Sequence, residues 1–261
     1  MDLLREILCR AIPRRPSILY HFIATVAMFE DIPGAVEEWC RALEGRGYPV
    51  LPPRLCLTAT KYLHFDAFWL WGRIPVAALA LKIPARRFNY GCPLREPLAP
   101  GEQYAVAPYQ AEFYVPPHIL IKPKHIVAVH ILHDDAEDAC RKLAKICNAS
   151  LYDGIDLNRE LALEFHALSW VYLSICKDAR EKKTPVWRYK MYWDLLEIVR
   201  EILGPYPTCL PRGEELADTC VVYANPPEGF PYLTWDEMQR VLRLAETIAR
   251  EYTREFHIAW D

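Results

Sequence analysis

Leu3, Leu4, Ile7, Leu8 and Ala11 recur three and four residues apart, which predicts a short amphipathic helix that stops before Pro13. Residues 17–29 are rich in β-branched and aromatic side chains, and this run is read as a strand. Pro33-Gly34 then punctuates the chain. Val36, Trp39, Cys40 and Leu43 mark one face of a second helix, which Gly45 and Gly47 terminate. Further strands are expected at residues 48–51, 61–71, 75–83 and 104–115. Residues 84–101, broken by proline and glycine, read as a long loop of the kind that often carries function.

The apolar period changes in the stretch 116–147. An apolar run from Ile119 passes through Pro123 into a second apolar run, and His133-Asp134-Asp135 then opens a strongly periodic helix. Ala136, Ala139, Cys140, Leu143, Ile146 and Cys147 form its stripe. Leu161, Phe165, Leu168, Tyr172 and Ile175 form another, and Tyr192, Leu195, Leu196, Val199, Ile202 and Leu203 a third, stopped by Gly204-Pro205. Thr234-Trp-Asp-Glu237 has capping-box spacing and starts a last helix, with Met238, Val241, Leu242, Ala245, Ile248, Ala249 and Tyr252 on its apolar face. The pattern predicts an α+β protein: a mixed-sheet domain over residues 1–133 and an all-helical domain over 134–261.

Composition narrows the class. The most apolar window, residues 62–83, is interrupted by His64, Asp66, Arg73, Pro75 and Lys82, so no membrane span is expected. The N-terminus lacks the basic start and apolar centre of a secretory signal, which points to the cytoplasm. A formal net charge of -3 gives the whole chain no attraction for nucleic acid, so any such binding needs a local patch. The 22 prolines, the excess of Arg over Lys and the scarcity of Asn and Gln resemble an archaeal, thermophilic composition. The nine cysteines show no zinc spacing; they are either buried thiols acting as small hydrophobes or intracellular disulfides of the kind hyperthermophiles tolerate.

The segments 25–31, 34–47, 64–66 and 119–143, with Ala136-Glu-Asp138, are together similar to small members of the nucleotidyltransferase superfamily, which have the polymerase-beta-like fold. That resemblance implies a mixed sheet of nucleotidyltransferase type followed by helices. It implies carboxylates that hold Mg2+ or Mn2+ against nucleotide phosphates, with Asp66 in the place of the third acid and Glu30 and Asp31 nearest the other two. The usual Gly-Ser or Gly-Gly turn is absent, and Ala27 and Phe29 stand where alternating acids belong. The implied protein is nucleotidyltransferase-like with an incomplete carboxylate motif: either a pseudo-enzyme that binds nucleotide or nucleic acid or, if active, a metal-dependent nucleotidyltransferase. The alternative is a non-catalytic module for nucleic-acid binding or protein interaction.

Three groups of residues carry the candidate chemistry. His64 and Asp66, two apart in an expected strand, project from one face and are the candidate metal pair. Arg86 and Arg87 lie in the long loop. Residues 177–193 hold six basic side chains against two acidic ones, among them Lys182, Lys183, Arg188 and Lys190, interleaved with Trp187, Tyr189, Tyr192 and Trp193. Cations neutralise phosphates and aromatic rings stack on bases, a combination suited to a nucleotide or single-stranded nucleic acid. The plainer reading makes these aromatics anchors of the following helix. His125, His130, His133, Asp134 and Asp135 match no zinc spacing and are read as a helix start, where acids favour the helix dipole.

Overall fold

The computed structural model describes residues 2–26, 31–49, 55–62, 73–87, 109, 111–115, 119–155, 158–184, 186–204 and 233–256. In chain order its elements are α1 (Asp2–Ala11), β1 (Leu19–Val26), α2 (Ile32–Glu44), β2 (Tyr48–Pro49), β3 (Leu55–Thr58), β4 (Arg73–Leu81), β5 (Arg86–Arg87), β6 (Glu112–Val115), β7 (Leu120–Ile121), β8 (Ile126–Ile131), α3 (Glu137–Cys147), β9 (Ser150–Asp153), α4 (Arg159–Glu181), α5 (Lys190–Leu203) and α6 (Trp235–Ala249). The chain is α+β with a mixed sheet. It forms two compact units: a sheet unit of Arg15–Phe88 with Glu112–Leu157, and a helical unit of Met1–Arg14, Asn89–Ala111 and Asn158–Asp261.

In the sheet unit the strands run in the order β5-β6-β3-β1-β4-β8-β9. Every neighbouring pair is antiparallel except β8 and β9, which are parallel. Strand β4 lies between β1 and β8, and its residues from Val76 to Leu81 are at most 3% exposed. Burial on both faces explains why it reads as a continuous apolar run with no alternation. Helices α2 and α3 pack on each other and on the sheet, α2 against β1 and α3 against β8 and β9. His21 of β1 meets Trp39 of α2 at a ring distance of 5.4 Å, which identifies the helix-covered face.

Trp39 also stacks on Tyr48 of β2 at 3.7 Å. Gly47, just before it, has φ +107°, and a Cβ there would stand 2.7 Å from the Ile121 carbonyl oxygen. Only glycine fits where the chain entering β2 passes this close to β7.

The division expected at residue 133 differs from the two units. Residues 134–157 belong with the sheet, and β9 places a strand where only helix was anticipated. A parallel strand cannot return by a hairpin, so the helix that opens after Asp134 is the crossover from β8 to β9. The helix-start reading is met for His133, Asp134 and Asp135, whereas His125 ends a 3-10 turn before β8 and His130 lies within β8. His133 Nδ1 accepts from the Asp135 N–H at 3.2 Å, Asp134–Ala136 form a 3-10 turn, and Asn148, at φ 51°, closes α3. Conversely, α1 belongs to the helical unit. Its buried Leu4, Ile7 and Leu8 face α4 and α5, and Arg5 and Arg10 pair with Glu201 and Glu164.

Residues 17–29 yield β1 over 19–26, 75–83 yield most of β4, and 104–115 yield β6 at their end. Of the expected strand 61–71 only Lys61 and Tyr62 are described, and they lie in a bend. In the helical unit, α4 buries Leu161, Phe165, Leu168, Tyr172 and Ile175, and α6 packs along it. Among the described residues no helix is long and apolar enough to cross a membrane. Cys9, Cys40, Cys140 and Cys147 are free thiols, whereas Cys176 is disulfide-bonded, so both readings of the cysteines hold for part of the set.

The capping box at α6 is present: Thr234 Oγ1 accepts from the Glu237 N–H at 3.2 Å, and the Thr234 N–H donates to Glu237 at 2.9 Å. Arg159 also donates to both Glu237 oxygens, at 2.8 and 2.7 Å. The Arg159 bond first, and the Thr234 N–H next, hold the Glu237 carboxyl down at about 2 against the usual 4.5. A depressed folded-state value contributes stability above pH 4.5 that is lost as pH falls toward 2. Glu237→Gln is therefore expected to remove part of the loss of stability between pH 5 and pH 2, measured as urea midpoints across that range.

Candidate functional site

The basic and aromatic segment 177–193 joins α4 to α5 through a 3-10 turn, Val186–Arg188. Its tyrosines point inward. Tyr189 and Tyr192 are each 4% exposed, so they anchor the helices, as the plainer reading held. Tyr189 donates its hydroxyl to Asp178 at 2.6 Å, and Lys182 pairs with the same carboxylate oxygen at 2.7 Å. A second set repeats this chemistry one helix later. Tyr252 donates to Asp194 at 2.6 Å, and Lys190 pairs with that oxygen.

Asp178 and Asp194 are 9% and 7% exposed. A carboxylate so far from water is costly unless it is paired and hydrogen-bonded, and each has one hydroxyl and one ammonium as partners. Burial first, and the bond to the neighbouring aspartate second, raise Tyr189 and Tyr252 well above the usual tyrosine range. Both hydroxyls therefore stay protonated and keep donating.

The first turn of α5 exposes N–H groups that no helical carbonyl accepts. Glu255 takes two of them, from Lys190 and Met191. Burial is the main reason its carboxyl is raised above 4.5, with Asp194 adding and the Met191 N–H opposing. Beside this contact lies an open cleft of about 460 Å³, lined by Lys190, Arg250, Arg254, Tyr252, Glu251 and Glu255 among others. Lys190 Nζ stands 5.6 Å over the Tyr252 ring at its wall.

Four of the candidate cations share the helical unit. Lys182 and Lys190 are tied to Asp178 and Asp194, while Lys183, at φ 50°, and Arg188 are exposed. Trp193 is 40% exposed and meets Tyr192 edge-on at 5.5 Å. The Trp187 side chain lies outside the described residues. Arg86 and Arg87 belong to the sheet unit and form β5, an edge strand opposite Tyr114 and Phe113, in place of part of the expected loop.

Asp31 precedes α2, exposed, with its carboxylate folded over Gly34: a Cβ at Gly34 would stand 2.5 Å from Asp31 Oδ2. Glu30, His64 and Asp66 lie outside the described residues. Among the described residues no three His, Cys, Asp or Glu side chains are placed to hold a metal ion.

The histidines after β7 each have a local role. His125 Nδ1 accepts from the Lys122 N–H at 3.1 Å, and His130 Nδ1 lies 3.0 Å from the Gly154 carbonyl oxygen. Burial pulls His130 below the usual histidine value, and its ring stacks on the half-exposed Tyr152 at 5.1 Å.

Sequence reasoning did not single out Asp178, Asp194, Arg250, Arg254 or Glu255. The signal for the first two was the four-residue spacing to Lys182 and Lys190, which puts each pair on one helix face. Glu255 and the arginines came together only through tertiary packing.

Replacing Tyr252 by Phe leaves Asp194 one donor short in a buried place. A loss of about 1–3 kcal/mol in urea unfolding is expected, while Tyr152→Phe, at a half-exposed ring, stays within about 0.5 kcal/mol.

No protein-family model matches this chain, and no curated protein or solved structure matches it.

Proposed function

We propose that this chain is a nucleotidyltransferase-like protein without catalytic competence that binds a nucleotide or single-stranded nucleic acid through its helical unit. The observation that carries this reading is the cleft beside Lys190, where Arg250 and Arg254 join a cation of the basic segment. It is an open, charged cleft of about 460 Å³ in which Glu251 and Glu255 stand beside the three cations. Lys183 and Arg188 extend the positive surface, and Trp193 offers an exposed ring for stacking.

The nucleotidyltransferase-like part rests on the resemblance and on the mixed sheet, in which an inner strand, β1, leads through Asp31 into α2. Mg2+ or Mn2+ would come with an active member of that superfamily. Asp31 folds over its own helix, and the described residues do not assemble a divalent-cation site. A cytoplasmic, thermophilic setting is part of the same reading.

Lys183 and Arg188 are the residues to test, because Lys182 and Lys190 also neutralise buried carboxylates. In the double variant Lys183→Ala/Arg188→Ala the salt dependence of oligonucleotide binding should flatten by roughly 0.7 in logarithmic slope per lost phosphate contact. The unfolding midpoint should hold. Lys190→Ala should instead lower the midpoint, since it strips Asp194 of its cation. An unchanged salt slope in the double variant removes Lys183 and Arg188 from the contact, and an unchanged slope in Arg250→Ala/Arg254→Ala as well removes the helical unit from the reading.

Catalysis is tested separately, with labelled nucleoside triphosphate and Mg2+ or Mn2+. No incorporation is expected. Incorporation by the wild type that Asp66→Asn abolishes, with folding intact, would replace the pseudo-enzyme with an active transferase.

A further inference from the structure

Three buried thiols lie in the layer where α2 packs on α3. Cys40 and Cys140 are 0% exposed and Cys147 is 6% exposed. The Cys40 S–H donates to the Ala139 carbonyl oxygen at 3.7 Å, which seats its sulfur against the turn of α3 that carries Cys140. Cys147 lies two helical turns further along the same face. A surface pair, Lys142 with Glu44 at 3.5 Å, ties the same two helices.

Burial pushes Cys140 and Cys147 up to about 12, and the nearby Cys40 adds to both. Burial also raises Cys40, with Lys142 opposing the rise and Glu44 and Glu37 adding to it. Among the described residues no such trio is placed to hold a metal. Cys176 is disulfide-bonded.

We propose that Cys40 and Cys140 form a conditional disulfide that locks α2 to α3 on the helix-covered face of the sheet. The oxidant is a small-molecule disulfide. The Cys40 thiolate attacks one of its sulfurs, forming a mixed disulfide and releasing one thiol. The Cys140 sulfur, losing its proton, then attacks the Cys40 sulfur, and the second small thiol leaves. Two protein S–H bonds are lost, one S–S bond forms, and the oxidant is reduced to two thiols. Because both sulfurs are buried, the reaction waits on transient separation of the helices and speeds up on heating. The link closes a long loop between the two positions, so it constrains the unfolded chain strongly.

The test uses the full-length protein, warmed with glutathione disulfide, then alkylated and digested without reduction. Mass spectrometry should find a Cys40–Cys140 peptide, and the unfolding midpoint should rise by about 5–15 °C over the untreated protein. Cys40→Ser should lose both effects while the Cys176 disulfide persists, and Cys147→Ser should keep both. Should Cys40→Ser fold poorly, Cys140→Ala makes the same prediction. Cys40 and Cys140 both alkylated after oxidation and unfolding, or Cys40 found linked to Cys147, overturns the proposal.

Discussion

The helical unit is organised by the need to satisfy two carboxylates that it buries. Asp178 and Asp194 each accept a tyrosine hydroxyl and a lysine ammonium, and meeting those demands fixes the turn between α4 and α5 and the chain after α6. Tyr252 is held on Asp194, and Glu255, three residues on, then reaches the first N–H groups of α5. The cleft beside Lys190 follows from this arrangement. The basic segment therefore divides its labour: Lys182 and Lys190 balance charge inside the unit, while Lys183 and Arg188 face outward.

The sheet unit follows a different constraint, the burial of β4 on both faces. It pairs with β1 and β8 along its edges, and its apolar run needs cover on both faces, of which helices supply one. The same requirement explains α3. A helix with one apolar stripe, sent out from β8, must bury that stripe against the sheet before the chain can return as β9. The Cys40, Cys140 and Cys147 cluster lies in this helix-covered layer.

Legibility in the sequence tracked how local the cause was. The capping box at Thr234, the αR start after His133, the run of β4 and the stripe of α4 are set by neighbours a few residues away, and each was readable. Strand β9 was not, because Ser150-Leu-Tyr-Asp153 is too short to show a period and exists as a strand through its pairing with β8. Strand β5 was hidden for the same reason: two arginines become a strand only opposite Tyr114 and Phe113. Of the candidate site, the cations were visible but their partners were not. Residue type alone could not separate Lys182, which closes a buried pair, from Lys183, which faces solvent. The carboxylates expected from the resemblance divide between Asp31, turned onto its own helix, and Asp66 and Glu30, outside the described residues.

Under the proposed function the helical unit supplies the contact to a nucleotide or single strand. Hydrogen–deuterium exchange of the full chain with and without a short single-stranded oligoribonucleotide at low salt tests it most directly, since bound phosphate shields nearby backbone amides from opening. Added protection confined to residues 183–191 and 250–255 is expected. Protection confined to the sheet unit, or none at saturating oligonucleotide, would contradict it.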